Sequence, residues 1–217
     1  SGNAFVKITG GATIGTRQEL EYTESDNPGA WTIYKGDGKI LHTCTGNVYG
    51  GSQGDIDVEA PHWVSMGRSH SSQVIIGDST DNPKIRGCVF GGAEQGIVTV
   101  NTMVTINSGT IGTHVTVGSG AGEGNDYIYG DVYAAGYGCD GGDAEWNEVT
   151  PNDSTAGSEG LGVGWNPGLL AGRTFGNSRV DVLGGLILGS VYGGGSFASV
   201  GDDKPGYTVY GETTVNI

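Results

Sequence analysis

Gly46-Asn47-Val48-Tyr49-Gly50-Gly51 recurs three times along the chain. The copies are Gly87-Cys88-Val89-Phe90-Gly91-Gly92, Gly130-Asp131-Val132-Tyr133-Ala134-Ala135 and Gly189-Ser190-Val191-Tyr192-Gly193-Gly194. Each reads glycine, a variable residue, valine, an aromatic and two small residues. The valines are 41, 43 and 59 residues apart. Two near-equal spacings mark an internal repeat, and the longer third implies an insertion.

A second motif accompanies the first. Val6-Lys7-Ile8-Thr9-Gly10-Gly11-Ala12-Thr13-Ile14-Gly15 alternates apolar and polar residues, breaks at a glycine pair and resumes as a short β-prone piece. Val104-Thr105-Ile106-Asn107-Ser108-Gly109-Thr110-Ile111-Gly112 and Val180-Asp181-Val182-Leu183-Gly184-Gly185-Leu186-Ile187-Leu188-Gly189 repeat it. Thr213-Thr214-Val215-Asn216-Ile217 reads as the opening of another copy. Val74-Ile75-Ile76, Val98-Thr99-Val100 and Val115-Thr116-Val117 add further short strands.

Alternation with a period of two puts one side of each strand inward. Glycine corners supply the positive φ and close backbone approach that a coiled sheet needs. One turn of such a coil cannot bury its own inner face, so turns must stack around a shared core of valine, isoleucine and tyrosine. The fold expected is all-β, a right-handed parallel β-helix with loop insertions, in one domain over 1–217. A spacing near 42 suggests two rungs of roughly 20 residues each. A WD-type propeller also repeats near this length, but the chain has about four units and no Trp-Asp signature. A β-sandwich competes less well against repeats this rich in glycine.

Composition agrees. Glycine supplies 44 of 217 residues, about one in five and roughly three times ordinary usage. No strict third-position glycine exists, which excludes collagen. The net charge of -14 argues against a nucleic-acid partner, because a phosphate backbone binds basic surfaces. No run of 18 apolar residues occurs, so no membrane insertion is expected. Cys44, Cys88 and Cys139 are odd in number and match no zinc spacing, which suits small apolar fillers or one disulfide with a leftover thiol.

Four segments break the repeat, near 17–43, 59–72, 118–129 and 138–177. They hold all four tryptophans. Insertions in repeat proteins project as loops and often supply the binding face. Trp31, Tyr34, Trp63, Trp146 and Trp165 are therefore the candidate ligand-binding residues, able to stack on sugar rings or anchor a protein partner. The plainer role for each is to fold back and seal the coil. Asp140, Asp143 and Glu145 are the candidate metal ligands, for calcium. They lack the EF-hand order and the glycine-aspartate nonapeptide period, which leaves a surface turn as the simpler reading. No cofactor is otherwise expected. His42, His62, His70 and His114 form no close ligand pair. No Ser/His/Asp or Cys/His constellation and no phosphate loop is visible.

These Gly-x-Val-Tyr-Gly-Gly and Val-x-Ile-x-Gly-Gly motifs resemble the glycine-rich repeats of large surface or secreted proteins of gut Bacteroidetes. The resemblance covers 6–16, 46–58, 74–117, 130–139 and 179–217, and departs at Ala134-Ala135 and Cys88-Val89-Phe90. It implies an extracellular or cell-surface module, structural or adhesive, flanked by further repeats of a longer parent chain. Its partners would be a glycan or a surface protein, and no catalytic residues are implied. The alternative is a carbohydrate-active enzyme, a polysaccharide lyase or glycoside hydrolase built on a β-helix.

Overall fold

A computed structural model describes residues 2–15, 46–54, 67–116, 126–138, 171–201 and 211–217. For 115–116 and 126–129 it describes the backbone alone. Among the described residues the chain is all-β, with parallel sheets and no helix.

The chain visits the same strand positions in repeated passes, here called tiers. The first tier holds β1 (Ala4–Ile8), β2 (Thr13–Ile14), β3 (Val48–Tyr49) and β4 (Arg68–Ser69). The second holds β5 (Ser72–Ile76), β6 (Lys84–Ile85), β7 (Val89–Phe90) and β8 (Ile97–Val98). The third holds β9 (Thr102–Ile106) and β10 (Thr110–Ile111), then an antiparallel pair, β11 (Thr113–Thr116) with β12 (Asp126–Tyr129), then β13 (Val132–Tyr133). The fourth holds β14 (Ser178–Val182), β15 (Leu186–Ile187) and β16 (Val191–Tyr192), and β17 (Thr213–Asn216) opens a fifth.

Strands at equal positions pair in parallel. The first sheet runs β1-β5-β9-β14-β17, the second β2-β6-β10-β15 and the third β3-β7-β13-β16. The fourth is β4-β8, prolonged by parallel bridges from Val98 to Thr174 and from Thr174 to Val200.

The register places like residues in columns. Val6, Val74, Val104, Val180 and Val215 stack on the first sheet. Ile14, Ile85, Ile111 and Ile187 stack on the second, and Val48, Val89, Val132 and Val191 on the third. All of them except Val215 belong to one core. Val74, Val104, Ile85, Ile111, Val89 and Val132 have no solvent exposure. A one-residue slip would turn a column outward, so burial itself locks the register.

Both sequence motifs land in register, and Val74-Ile75-Ile76 proves to be a further copy of the second. The rung length is where the structure departs from expectation. Ser72 pairs with Thr102, so one tier takes 30 residues with no long insertion. The spacings of 41 and 43 each span one tier plus an insertion, not two rungs of 20. Two insertions of similar length imitated a period. The expected insertions at 59–72 and 138–177 end on strand residues: Arg68–Ser69 and Ser72 belong to β4 and β5, and Thr174 bridges the fourth sheet. The third insertion begins earlier than 118, since β11 already leaves the tier at Thr113.

Glycine is required at the tightest approaches. Gly109 and Gly185 turn the chain between the first and second sheets at φ 103° and 95°, a region L-residues rarely adopt. At Gly91 a Cβ would lie 2.1 Å from the Ala134 carbonyl oxygen.

Side-chain ladders reinforce two corners. Asn101 Oδ1 accepts the Asn177 N–H at 2.8 Å, and Asn177 Oδ1 accepts the Glu212 N–H at 3.0 Å. At the other corner Asn47 Oδ1 accepts the Cys88 N–H at 2.9 Å, Cys88 Sγ the Asp131 N–H at 3.3 Å and Asp131 Oδ1 the Ser190 N–H at 2.7 Å. Asp81 braces three tiers, accepting from Gly10 N–H, Asp78 N–H at 2.7 Å and Ser108 Oγ–H at 2.9 Å.

Inside the first sheet, Ser72 and Ser178 donate their hydroxyls to the Gly91 and Gly193 carbonyls. Thr102, in the same column, buries an Oγ1 with no hydrogen-bond partner. An unsatisfied buried hydroxyl keeps its full desolvation penalty. Thr102→Val should therefore raise stability by about 1 kcal/mol. Gly91→Ala should lower it by about 1–3 kcal/mol through overpacking, whereas Gly11→Ala, with nothing within 4 Å of the added methyl, should change little. Chemical denaturation of the three variants beside the parent chain tests the ranking, and equal midpoints for Gly91→Ala and Gly11→Ala would contradict the packing just described.

Candidate functional site

The residue after each repeat valine lies on the opposite face of the third sheet, because successive side chains alternate. Tyr49, Phe90, Tyr133 and Tyr192 therefore form a column outside the aliphatic core. This corrects the expectation that the repeat tyrosines share the core with valine and isoleucine. Their cluster is a second one, containing Cys88, Phe90 and Tyr137, with Tyr49 and Tyr133 packed against it.

The column is a stacked ladder. Ring centroids are 4.9 Å apart from Tyr49 to Phe90, 4.9 Å from Phe90 to Tyr133 and 4.8 Å from Tyr133 to Tyr192. Interplanar angles are 10°, 1° and 10°. The spacing is set by the distance between paired strands, about 4.8 Å. Tyr137 meets Phe90 edge-on at 5.5 Å, and Phe197 meets Tyr137 at 5.4 Å. Each such ring pair contributes about 0.5–1.5 kcal/mol beyond its burial.

Polar groups rim the ladder. Tyr133 donates its hydroxyl to Asp131 Oδ2 at 3.1 Å, and Asn47 Nδ2 donates to the Tyr49 hydroxyl at 3.2 Å. Burial pushes the Tyr49 phenol well above its ordinary range, and the Glu94 charge pushes it further. Burial raises Tyr133 as well, followed by the Asp131 charge beside it. Phe90 and Tyr137 are buried, whereas Tyr192 is 44% and Phe197 42% exposed. The ladder thus opens to solvent at its fourth-tier end.

Trp31, Tyr34, Trp63, Trp146 and Trp165 lie outside the described residues, as do Asp140, Asp143 and Glu145. Cys44 and Cys139 lie outside them too, while Cys88 is buried under the ladder. Among the described residues no three His, Cys, Asp or Glu side chains are grouped to hold a metal ion. The carboxylates of Asp78, Asp81, Asp131 and Asp181 are engaged in the framework. Hydrogen bonds from Arg179 and then Asn216 hold Asp181 below the usual carboxylate range. The Thr80 backbone and hydroxyl do the same for Asp78, and the Asp78 N–H, ahead of the Gly10 N–H, does so for Asp81.

Tyr137 and Phe197 were not legible as ladder partners, since neither belongs to the repeated six-residue motif. The stack of the other four could have been read from the motif itself, given that its copies align tier on tier. No family model, curated protein or solved structure matches the chain.

The raised tyrosines carry a pH dependence. An unfolded tyrosine ionises near pH 10. Above that pH the folded chain retains phenolic protons that the unfolded chain has lost, so stability falls as pH rises. Below it, both states hold the protons and the contribution is constant. Urea denaturation from pH 8 to 11 should show stability dropping above about pH 10, and a Tyr49→Phe/Tyr133→Phe double variant should drop less steeply. Identical pH profiles would disprove the assignment.

Proposed function

We propose that this chain is a right-handed parallel β-helix module of an extracellular or cell-surface protein, and that it is structural or adhesive. The handedness follows the strong preference of parallel crossover connections. One observation carries the functional reading: the columns keep their register across insertions of very different length. Three residues lie between Ile85 and Val89 and 20 between Ile111 and Val132, yet Ile111 stacks on Ile85 and Val132 on Val89. A scaffold with this property holds a rigid core while presenting unlike loops along its length.

The aromatic insertions are the proposed contact surface, for a glycan or a surface protein. Tryptophan offers an apolar face for a sugar ring and an N–H for its hydroxyls. The acidic composition suits solubility and repels nucleic acid. The aligned tiers suit further repeats on either side.

A glycan array probed with the intact chain, with and without calcium, tests the adhesive reading. A hit should weaken at least tenfold in one or more of Trp31→Ala, Trp63→Ala, Trp146→Ala and Trp165→Ala, the loss expected for a central aromatic contact of about 1.4 kcal/mol or more. Binding that survives all four variants would remove the insertions as the contact surface. Cleavage of an arrayed polysaccharide would favour the carbohydrate-active enzyme instead.

A further inference from the structure

Phe90 interrupts the phenols of the ring ladder. It lies between Tyr49 and Tyr133, stacked on each at 4.9 Å, so those two tyrosines are two ring spacings apart. Tyr133 and Tyr192 are neighbours, at 4.8 Å and 10°. Their strands, β13 and β16, run parallel and in register, with Val132 beside Val191. A shift of one strand spacing therefore carries one ring onto the other, and like atoms lie about 4.8 Å apart. The ring carbons ortho to the two hydroxyls are paired in this way.

Tyr133 is reached from its edge. Phe90 covers one of its faces and Tyr192 the other. Phe90, flanked in the same manner, is only 2% exposed, because Tyr137 also closes its edge. Tyr133 stays half-buried, so what it exposes is its rim. That rim is polar. The Tyr133 hydroxyl donates to Asp131 Oδ2 at 3.1 Å, and the Ser196 side chain hydrogen-bonds the same phenol. Asp131 is itself fixed, since its Oδ1 accepts the Ser190 N–H at 2.7 Å. A carboxylate already bonded to a phenolic proton is placed to take it when the ring loses an electron.

We propose that Tyr133 and Tyr192 form a site of oxidative cross-linking, joined as dityrosine by a one-electron phenol oxidant, with Asp131 as the proton acceptor for Tyr133. Each ring gives one electron to the oxidant. The Tyr133 proton passes to Asp131 and the Tyr192 proton to solvent. The two phenoxyl radicals couple through ortho carbons and form one C–C bond. The hydrogens on those carbons then move to the oxygens, which restores both phenols. The chain has lost two hydrogens, as two protons and two electrons. The bond ties the third tier to the fourth across the longest valine spacing, 59 residues. A link that closes a long loop removes the most entropy from the unfolded chain.

The intact protein, dilute enough to disfavour coupling between molecules, is illuminated with ruthenium(II) tris-bipyridine and persulfate. Persulfate takes the two electrons and leaves as two sulfates. Dityrosine fluorescence follows the reaction, and tandem mass spectrometry locates the bond. The expected product is a monomer two hydrogens lighter, with a bond between residues 133 and 192 and a raised thermal midpoint. Tyr133→Phe and Tyr192→Phe keep every ring of the ladder, yet each should abolish that bond, whereas Tyr49→Phe should leave it. Asp131→Asn keeps an acceptor for the Ser190 N–H and should slow coupling about tenfold. Oxidation in concentrated urea should disperse coupling over the other tyrosines. Absence of the 133–192 bond, or an equal yield of it in urea, would overturn the proposal. An unchanged rate in Asp131→Asn would overturn it too, by removing the proton transfer it depends on. Cross-linking needs the ring ladder alone, so a failed glycan screen and a failed cross-link are separate results.

Discussion

Everything in this fold depends on one tier burying the inner face of the next. A strand pair of two residues, such as β3 with β7, has too little area to persist alone. Four copies in register change that balance. Each valine or isoleucine added to a column removes apolar surface from water on both sides, at about 25 cal/mol per Å². Each tier also satisfies the backbone groups its neighbour leaves open. Stability is therefore a sum over neighbouring contacts, and tiers at the ends of the stack are less well buried than those within it.

The same constraint organises the polar groups. At a corner the chain must turn without losing backbone hydrogen bonds, and neighbouring turns lie one strand spacing apart. A short side chain with an acceptor can then reach the N–H of the tier above. Asn101, Asn177, Asn47, Cys88 and Asp131 all do so. Glycine serves where even a methyl group would meet a neighbouring carbonyl, as at Gly91. The aromatic ladder is a by-product of equal spacing. Rings repeated at one position must lie near 4.8 Å apart, a distance at which parallel rings stack.

Function divides along the same line. The columns carry stability. The Asp78, Asp81 and Asp181 carboxylates are bound into the framework by hydrogen bonds. Variation is concentrated between strands, where β10 and β13 tolerate a 20-residue link at a junction that β6 and β7 cross in three. The core register is the same across links of different length.

The sequence by itself determined the class of fold. Period-two valine and isoleucine between glycine corners cannot make a helix, and repetition demands that copies stack. It also determined which face of each strand is buried, because a one-residue slip would turn Val6, Val104 or Val180 outward. The length of a tier was decided only in three dimensions. Insertions add to spacing along the chain but not along the stack, so 41 and 43 residues concealed a 30-residue tier. The face taken by the aromatics was likewise decided by strand alternation, which sets Tyr49 opposite Val48. The partners of that ladder, Tyr137 and Phe197, were decided by the path of the chain after the third sheet, where no repeated motif marks them.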